Sequence, residues 1–216
     1  MGRARLHGPP RPRRDASGRE LVSAPLRHLA LLRRPQALLS RAVTVFGGAR
    51  ITADSDEYAA ARHLGRALAE RGFTVVSGGY EGVMAAVSQG AREGGGRTVG
   101  VTVELLTQSR SPNPWIDQEI RTAALLQRVD KLIELGDGYA VLPGGAGTLL
   151  ELGAVWNLAL LGALQDKPIV VVGPGWQKVL QTMIANLHTL EYDLRFLTLA
   201  PTAEAAADVL AERLRP

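Results

Sequence analysis

A glycine-rich stretch at residues 143–151, Pro-Gly-Gly-Ala-Gly-Thr-Leu-Leu-Glu, combines residue types that can bind a phosphate and act on the group attached to it. An apolar run at residues 139–142 precedes it, and a helical pattern opens at Thr148. Glycine lacks a Cβ, so a ligand can approach its main chain closely, and the first N–H groups of a helix carry partial positive charge. Such a turn suits a phosphate. The candidate phosphate-binding residues are Gly144, Gly145, Gly147 and Thr148.

Glu151 lies one helical turn into the following helix, and two interpretations fit its spacing equally well. A carboxylate beside a phosphate site is repelled unless it acts on the rest of the ligand, which favours a functional role. Thr148 and Glu151 are also spaced as a capping box, in which the threonine caps the helix and the glutamate reaches back to the N-cap amide. Because short motifs often arise by chance, the spacing alone leaves both interpretations open.

Two further glycine-rich stretches follow apolar runs, at residues 46–50 (Phe-Gly-Gly-Ala-Arg) and 77–84 (Ser-Gly-Gly-Tyr-Glu-Gly-Val-Met). None of the three stretches is the dinucleotide fingerprint or the phosphate loop that ends in Gly-Lys-Ser/Thr. The sequence therefore argues against NAD binding and against ATP hydrolysis. The candidate nucleotide-binding residues in these two stretches are Gly47, Ser77, Gly78, Gly79, Gly82 and Met84.

The elements that must position these stretches are short apolar runs that alternate with longer helical patterns. Strands buried on both faces read as continuous apolar runs, and helices between them imply crossover connections. The sequence therefore predicts a Rossmann-like α/β fold, a doubly wound parallel sheet in three α/β/α layers. Ligands bind such sheets at the carboxyl ends of the strands, where the glycine stretches are expected to meet. The predicted strands are residues 43–46, 73–76, 98–103, 139–142, 169–172 and 196–199.

Residues 116–135 are predicted to form one helix, because their apolar residues recur at helical spacing. Asp117 and Arg121, four residues apart, are predicted to pair on its surface. Arg128 has no carboxylate four residues to either side. Arginine suits multidentate hydrogen bonds to phosphate or ribose oxygens, but a single helical arginine is more often solvated, so these residues alone leave its role open.

Charge separates the chain into two parts. The net charge is +4, yet residues 1–40 contain nine arginines and two carboxylates, so their charge is +7 and that of the remainder is −3. We therefore expect a basic N-terminal extension at residues 1–40, with a disordered start and a short helix at residues 20–32, and a nucleotide-binding domain at residues 41–216. This balance makes the domain a poor nucleic-acid surface, and DNA binding by the extension is the least favoured function.

Composition excludes further classes of site. The chain contains no cysteine and its four histidines lie far apart, so we expect no structural metal and no thiolate chemistry. No cofactor is expected either, because Lys131, Lys167 and Lys178 all lie outside the glycine stretches and a pyridoxal phosphate enzyme needs a Schiff-base lysine. No apolar run approaches the roughly 20 residues of a membrane span, which favours a cytoplasmic protein without membrane contact.

Taken together, the motifs resemble the LONELY GUY family of cytokinin-activating phosphoribohydrolases, whose members were formerly mislabelled lysine decarboxylases. Residues 143–151 match the family signature P-G-G-x-G-T-x-x-E in full. The stretches at residues 46–50 and 77–84 are similar to the first and second glycine loops of the family. The resemblance covers about residues 42–216.

The resemblance implies hydrolysis of the N-glycosidic bond of a nucleoside 5′-monophosphate, either AMP or a cytokinin riboside 5′-monophosphate, to free base and ribose 5-phosphate. It places the catalytic arginine of the family on Arg128 and its glutamate on Glu151. It also implies at least a homodimer. Trp156, Leu160 and Leu161, on the helix that the signature opens, are expected to bury against the sheet or a second subunit.

Two departures from the family pattern bear on the substrate and on catalysis. Val129 and Leu132 stand where the family commonly has lysine and methionine, and Tyr80 and Glu81 replace smaller residues of the second loop. Tyr80 and Glu81 are expected to line the pocket near the sugar or base. The alternative function is a non-catalytic carrier of a nucleotide or phosphorylated cofactor, similar to molybdenum cofactor carrier proteins, which predicts ligand binding without turnover.

Overall fold

The computed structural model describes residues 41–106, 109–164, 166–187 and 191–215. Within these ranges seven strands and six α-helices follow one another along the chain. The strands are β1 (Ala42–Phe46), β2 (Thr74–Ser77), β3 (Thr98–Val103), β4 (Gln118–Thr122), β5 (Gly138–Val141), β6 (Ile169–Val172) and β7 (Leu197–Ala200). The helices are α1 (Asp56–Glu70), α2 (Val83–Glu93), α3 (Leu125–Leu135), α4 (Ala146–Leu160), α5 (Pro174–Asn186) and α6 (Ala203–Arg213).

The strands form one parallel sheet in the order β4-β3-β2-β1-β5-β6-β7. The chain moves outward from β1 to β4, then returns to the other side of β1 to form β5. The strand order therefore reverses between β1 and β5, where Phe46 is paired with Val141. In open parallel sheets this reversal leaves a crevice at the carboxyl ends of the strands, which is where ligands bind.

Apolar side chains cover both faces of the sheet. One cluster packs α1, α2 and α6 against the first face, and a second cluster packs α3, α4 and α5 against the other. The residues of β1 are buried throughout, as expected for a strand with helices on both sides. The predicted doubly wound, three-layer α/β/α fold is confirmed.

All six predicted strands are present, and each end lies within one residue of its predicted position. The prediction of one helix over residues 116–135 is wrong, because residues 118–122 form the edge strand β4 and the helix begins only at Leu125. Among the described strands, β4 pairs only with β3, and its side chains alternate between half-buried and exposed. Ile120 is the one apolar residue of β4. It lies four residues after Ile116, and this spacing also fits a helix, which explains the wrong prediction.

The predicted ion pair between Asp117 and Arg121 is wrong for the same reason. In extended chain, residues four apart lie on the same face but are separated by about 13 Å, too far for an ion pair, so these two side chains have separate partners. Asp117 accepts a hydrogen bond of 2.8 Å from the amide of Thr98 at the start of β3 and pairs with Arg92 at 2.6 Å. Arg121 pairs with Glu119 at 3.2 Å.

The predicted extension at residues 1–40, including its helix at residues 20–32, lies outside the described residues. The domain boundary at residue 41 therefore stays a prediction. In the part of the chain that the structure describes, none of the helices is both long and apolar enough to pass through a bilayer.

Candidate active site

The three glycine-rich stretches meet at the carboxyl edge of the sheet, beside the β1–β5 reversal. The amide of Gly48 donates a 3.0 Å hydrogen bond to the carbonyl of Pro143, which joins the loop after β1 to the loop after β5. The carbonyl of Gly48 accepts a 2.9 Å hydrogen bond from Val83, which joins the same loop to the start of α2. The convergence expected from the parallel sheet is therefore present.

Two of the candidate glycines are needed for this close packing. Gly82 has a φ of +67°, and a Cβ there would lie 2.4 Å from the carbonyl oxygen of Gly48. A Cβ on Gly144 would lie 2.1 Å from Oγ1 of Thr148 and 2.8 Å from the amide nitrogen of Gly48. Any side chain at either position would push the loops apart.

Gly47 and Ser77 also lie inside the packed loops. A Cβ on Gly47 would lie 2.4 Å from a methyl group of Val83. The hydroxyl of Ser77 is fully buried, accepts a 3.2 Å hydrogen bond from the amide of Gly79 and lies 3.5 Å from the hydroxyl of Ser88. These two residues therefore stabilise the packing of the loops by contacts inside them.

The start of α4 is open by contrast. Its N-cap is Gly145, which has no side chain to cap the helix, and its first intrahelical hydrogen bond runs from Leu149 to Gly145 at 3.0 Å. Gly145 and Gly147 are exposed, and a Cβ at either would meet no atom of the described residues within 4 Å. The N–H groups before Leu149 lack intrahelical partners, so they form a potential anion-binding site.

The capping-box interpretation of Thr148 and Glu151 is wrong. Thr148 is buried three residues beyond the N-cap, so its hydroxyl does not occupy the capping position. Glu151 directs its carboxylate to Arg128, with 3.4 Å between Oε1 and Nη1. The carboxylate therefore contacts Arg128 and does not cap its own helix.

Arg128, in the first turn of α3, is 7% exposed and contacts groups from β3, the second glycine loop, α2 and α4. Its Nε donates to the carbonyl of Val101 in β3 at 2.8 Å, and its Nη2 donates to the carbonyl of Gly78 at 3.1 Å. Nη2 also lies 3.7 Å from the sulfur of Met84. Because a Cβ on Gly78 would lie 1.7 Å from Nη2, the guanidinium can occupy this position only beside glycine.

Glu151 is also 7% exposed, so its carboxyl is largely removed from water. Burial raises the pKa of Glu151 to about 7, while the charge of Arg128 and its hydrogen bond to the carboxylate act in the opposite direction. At neutral pH the carboxyl is thus divided between its protonated and ionised forms. Such a group can exchange a proton with a substrate or with water at physiological pH.

The expectation that Tyr80 lines the pocket near the sugar or base is wrong. Tyr80 is 2% exposed, and its hydroxyl accepts a 3.0 Å hydrogen bond from the amide of Val103 and donates one of 3.2 Å to the carbonyl of the same residue. Its neighbour Glu81 is exposed at the rim. An aromatic ring fits this position because it fills space between β3 and the second loop.

Sequence reasoning missed Asn113, a buried residue of the β3–β4 connection. Its amide donates to the carbonyl of Gly79 at 2.9 Å, and its side-chain Nδ2 donates to the carbonyl of Tyr80 at 2.9 Å. Both bonds fix the second glycine loop. No glycine motif surrounds Asn113, so its role has no signal in the sequence.

The site thus has a buried part and an open part. In the buried part, Glu151, Gly78 and Met84 each contact Arg128, and the open part is the start of α4 with Gly145 and Gly147. A doubly wound parallel sheet with these features at its strand reversal defines a Rossmann-like α/β protein with a candidate anion site. The chain belongs to the SLOG cluster4 family, whose model matches residues 40–199. This match and the relatives below confirm the predicted resemblance to LONELY GUY proteins.

Two curated relatives carry names that describe activities. The chain is 41% identical over 115 residues to the cytokinin riboside 5′-monophosphate phosphoribohydrolase of Mycobacterium tuberculosis, a match that covers 53% of this chain and 61% of the relative. It is 27% identical over 166 residues to the pyrimidine/purine nucleotide 5′-monophosphate nucleosidase of Escherichia coli, covering 71% of this chain and 36% of the relative. The chain thus spans about three-fifths of the length of the first relative and about one-third of the length of the second.

Among solved structures, the chain is similar to the molybdenum cofactor binding protein from the phototrophic bacterium Rippkaea orientalis. The TM-score is 0.65 at 22% identity, and the match covers 83% of this chain and all of the other. At this identity the likeness concerns the fold alone.

Proposed function

We propose that this protein hydrolyses the N-glycosidic bond of a nucleoside 5′-monophosphate, such as AMP or a cytokinin riboside 5′-monophosphate, to free base and ribose 5-phosphate. The observation that carries the proposal is the position of Glu151 four residues after the open Gly147 on α4. Residues four apart share one face of a helix, and helical side chains tilt toward the N-terminus. A phosphate bound at the helix start therefore holds its ribose near the carboxylate.

The phosphate would be bound by the main chain of Gly145 and Gly147 at the start of α4, where the N–H groups and the partial positive charge favour an anion. The other proposed binding residues shape the rim by packing the loops against one another or by filling the space beside Arg128. They are Gly47, Ser77, Gly78, Gly79, Gly82, Met84, Gly144 and Thr148.

The chemistry would depend on Glu151. Cleavage of the bond between C1′ and the ring nitrogen develops positive charge on the ribose, and a carboxylate nearby stabilises that charge or activates the attacking water. Arg128 would keep part of the Glu151 population ionised at neutral pH and orient the sugar or phosphate with its remaining N–H donors. Binding of the remote phosphate would orient the sugar relative to the carboxylate.

The names of both relatives support a nucleoside 5′-monophosphate as the substrate. One name specifies a cytokinin riboside and the other specifies pyrimidine and purine nucleotides, so they share the ribose 5′-monophosphate and differ in the base. The open helix start would recognise this shared part.

The decisive experiment is incubation of the purified full chain with AMP, GMP, CMP, UMP and a cytokinin riboside 5′-monophosphate, with ribose 5-phosphate and free base quantified. We expect turnover of at least one nucleotide and much weaker turnover of the corresponding nucleoside, which lacks the phosphate. The absence of ribose 5-phosphate with every nucleotide would overturn the proposal.

The alternative is a non-catalytic carrier of a phosphorylated ligand, which the fold shared with the molybdenum cofactor binding protein supports. Calorimetric titration with the same nucleotides separates the two. Binding without product favours the carrier, whereas binding with product favours the hydrolase.

We further propose a homodimer or higher homo-oligomer in the cytoplasm. Large apolar side chains remain exposed near the starts of α3 and α4 and at the end of α4, which is typical of surfaces that associate. They are Leu125, Leu126, Leu149, Leu150, Leu160 and Leu161. Trp156, in contrast, packs within its own chain and donates to the carbonyl of Asp193 at 2.9 Å.

Sedimentation equilibrium tests this assembly. The wild-type chain should sediment as a dimer or larger species at micromolar concentration, and Leu126→Glu should shift it toward the monomer. A wild-type protein that is monomeric at all concentrations would contradict the proposed assembly.

A further inference from the structure

The position of Arg128 depends on a loop that does not belong to its own helix. The guanidinium donates to the carbonyl of Gly78 at 3.1 Å and contacts Glu151 at 3.4 Å, so a shift of the second glycine loop would move the cation relative to the carboxylate. An arginine side chain has several rotatable bonds, and ordering it requires such fixed neighbours. The residues that hold the second glycine loop in place therefore determine the position of the Arg128 guanidinium.

Tyr80 fixes this loop from two directions. Its hydroxyl forms two hydrogen bonds with the main chain of Val103 at the end of β3, and its carbonyl accepts one from Asn113. Tyr80 is two residues from Gly78, so these bonds hold the carbonyl that Arg128 contacts. The loop is thereby tied to the edge of the sheet.

The ring of Tyr80 also contacts the cation itself. The Cζ atom of Arg128 lies 5.7 Å from the centre of the Tyr80 ring, within the range of a cation–π interaction. Both groups are almost fully buried, and such an interaction is stronger when water is excluded. One residue therefore restrains the guanidinium both directly and through Gly78.

We propose that Tyr80 is a positioning residue for Arg128, whose ring and loop contacts direct the guanidinium at Glu151. This role rests on the proposed hydrolase function and extends it, because it assigns a task to a side chain that does not touch the substrate. It also explains why an aromatic residue occupies a loop position that is closed to solvent.

The consequence is measurable at Glu151. Burial raises the pKa of this carboxyl, and Arg128 is the charged group that lowers it. A guanidinium released from Tyr80 would spend less time near the carboxylate, so the pKa of Glu151 would rise further above about 7. A purely structural tyrosine would change the stability of the protein without this shift.

The test compares variants of the full chain. Tyr80→Met removes the ring and keeps much of the volume, whereas Tyr80→Phe removes the hydroxyl and keeps the ring beside Arg128. Tyr139→Phe is the matched control, because Tyr139 is fully buried and donates its hydroxyl to the carbonyl of Ile133 at 2.8 Å. The measurements are thermal unfolding, kcat and KM for AMP from pH 5.5 to 9, and titration of Glu151 by NMR with ¹³C-labelled glutamate, assigned with Glu151→Gln.

For Tyr80→Met we expect a higher Glu151 midpoint and a kcat about tenfold lower, with KM changed less than about twofold, because orientation of the reacting groups is lost and binding is kept. Tyr80→Phe should raise the midpoint by a smaller amount, because it loses the hydroxyl bonds that hold the loop but keeps the ring beside Arg128. Tyr139→Phe should lower only the unfolding temperature.

An unchanged midpoint in folded Tyr80→Met would overturn the positioning role. If Tyr80→Met does not fold, the Glu151 titration midpoint of Tyr80→Phe decides. A rise in this midpoint that Tyr139→Phe does not show supports the positioning role, and a midpoint equal to that of the wild type overturns it. The NMR midpoint does not require turnover, so it distinguishes a wrong positioning role from a wrong hydrolase assignment.

Discussion

Glycines at the same rim of the sheet have opposite surroundings. A Cβ on Gly78 would lie 1.7 Å from Arg128, and a Cβ on Gly144 would lie 2.1 Å from Thr148. A Cβ on Gly145 or Gly147, one and three residues after Gly144, would meet no atom within 4 Å in the part of the chain that the structure describes. We call Gly78 and Gly144 the closed glycines, because protein atoms occupy the space of a side chain there, and Gly145 and Gly147 the open glycines.

The difference separates two reasons for a glycine in such a motif. At the closed positions the protein itself occupies the space of a side chain, so glycine is required for packing and for the position of Arg128. At the open positions the fold tolerates a side chain, so a requirement for glycine there would have to come from a ligand that approaches the main chain. Substitutions at the two kinds of position should therefore have different effects on stability and on binding.

The largest effect is expected for Glu151→Gln, which leaves both kinds of glycine intact. We expect kcat for AMP to fall about 1000-fold, in the range typical of losing a catalytic acid or base, with KM within about threefold of wild type. The reason is that the open helix start would still bind the phosphate. Steady-state kinetics measure both constants, and Asp130→Asn, on the exposed side of α3, is the control. A large rise in KM with unchanged kcat would contradict the separation of binding from chemistry.

Gly78→Ala should have the next largest effect, because the new methyl group would displace the guanidinium of Arg128. We expect kcat about 100-fold lower and a loss of stability of about 2 kcal/mol from overpacking. The matched control is Gly65→Ala in α1, where a Cβ would lie 2.1 Å from the carbonyl of Val87. That variant should also lose stability, but its folded fraction should keep the wild-type kcat. Wild-type activity in Gly78→Ala would show that the closed glycine does not position Arg128.

Gly147→Ala should show the reverse pattern. The first turn of α4 accepts alanine without a clash, so we expect stability to stay the same or to increase by about 0.5 kcal/mol. The methyl group would obstruct the approach of a phosphate, and KM for AMP should rise about tenfold. Gly153→Ala on the same helix would also place its methyl group away from every described atom, and it should gain stability without a change in KM. Equal KM values for the two variants would contradict phosphate binding at the helix start.

The sequence predicts six of the strands that the structure describes but not the edge strand β4, for a physical reason. Strands such as β1 and β6 are buried on both faces, so they appear in the sequence as nearly continuous apolar runs that are easily identified as strands. Strand β4 is paired on one side and partly exposed, so its composition and spacing resemble those of a surface helix.

The site, too, has a part that the sequence predicts and a part that it does not. The glycine signature identifies the open helix start and Glu151 because these lie within a few consecutive residues. Arg128 could be singled out only through the family resemblance, since its contacts come from β3 and from a loop 50 residues away in sequence. The support from Asn113 and the hydroxyl of Tyr80 depends on tertiary contacts between residues 33 and 23 apart, which local patterns do not encode.

The smallest effect expected is that of pH on the turnover of the wild-type protein. The same pH dependence, measured in glycine variants, separates the closed positions from the open ones. Burial raises the pKa of Glu151 to about 7, and catalysis by a carboxylate requires its ionised form. Turnover should therefore increase about twofold from pH 7 to pH 8, as the ionised fraction rises from about half to about nine-tenths. Because the folded state retains this proton between the ordinary pKa of 4.5 and about 7, the contribution of Glu151 to stability falls as pH rises through that window.

Gly147→Ala should keep the midpoint of the kcat profile near 7, since the open glycine does not touch the Arg128–Glu151 pair. Gly78→Ala should move the midpoint to higher pH, since the displaced Arg128 would no longer favour the carboxylate. The pH dependence of kcat for the two variants measures this. A profile that falls with rising pH in the wild type would instead make Glu151 a proton donor, and equal midpoints in the two variants would remove the distinction between closed and open glycines.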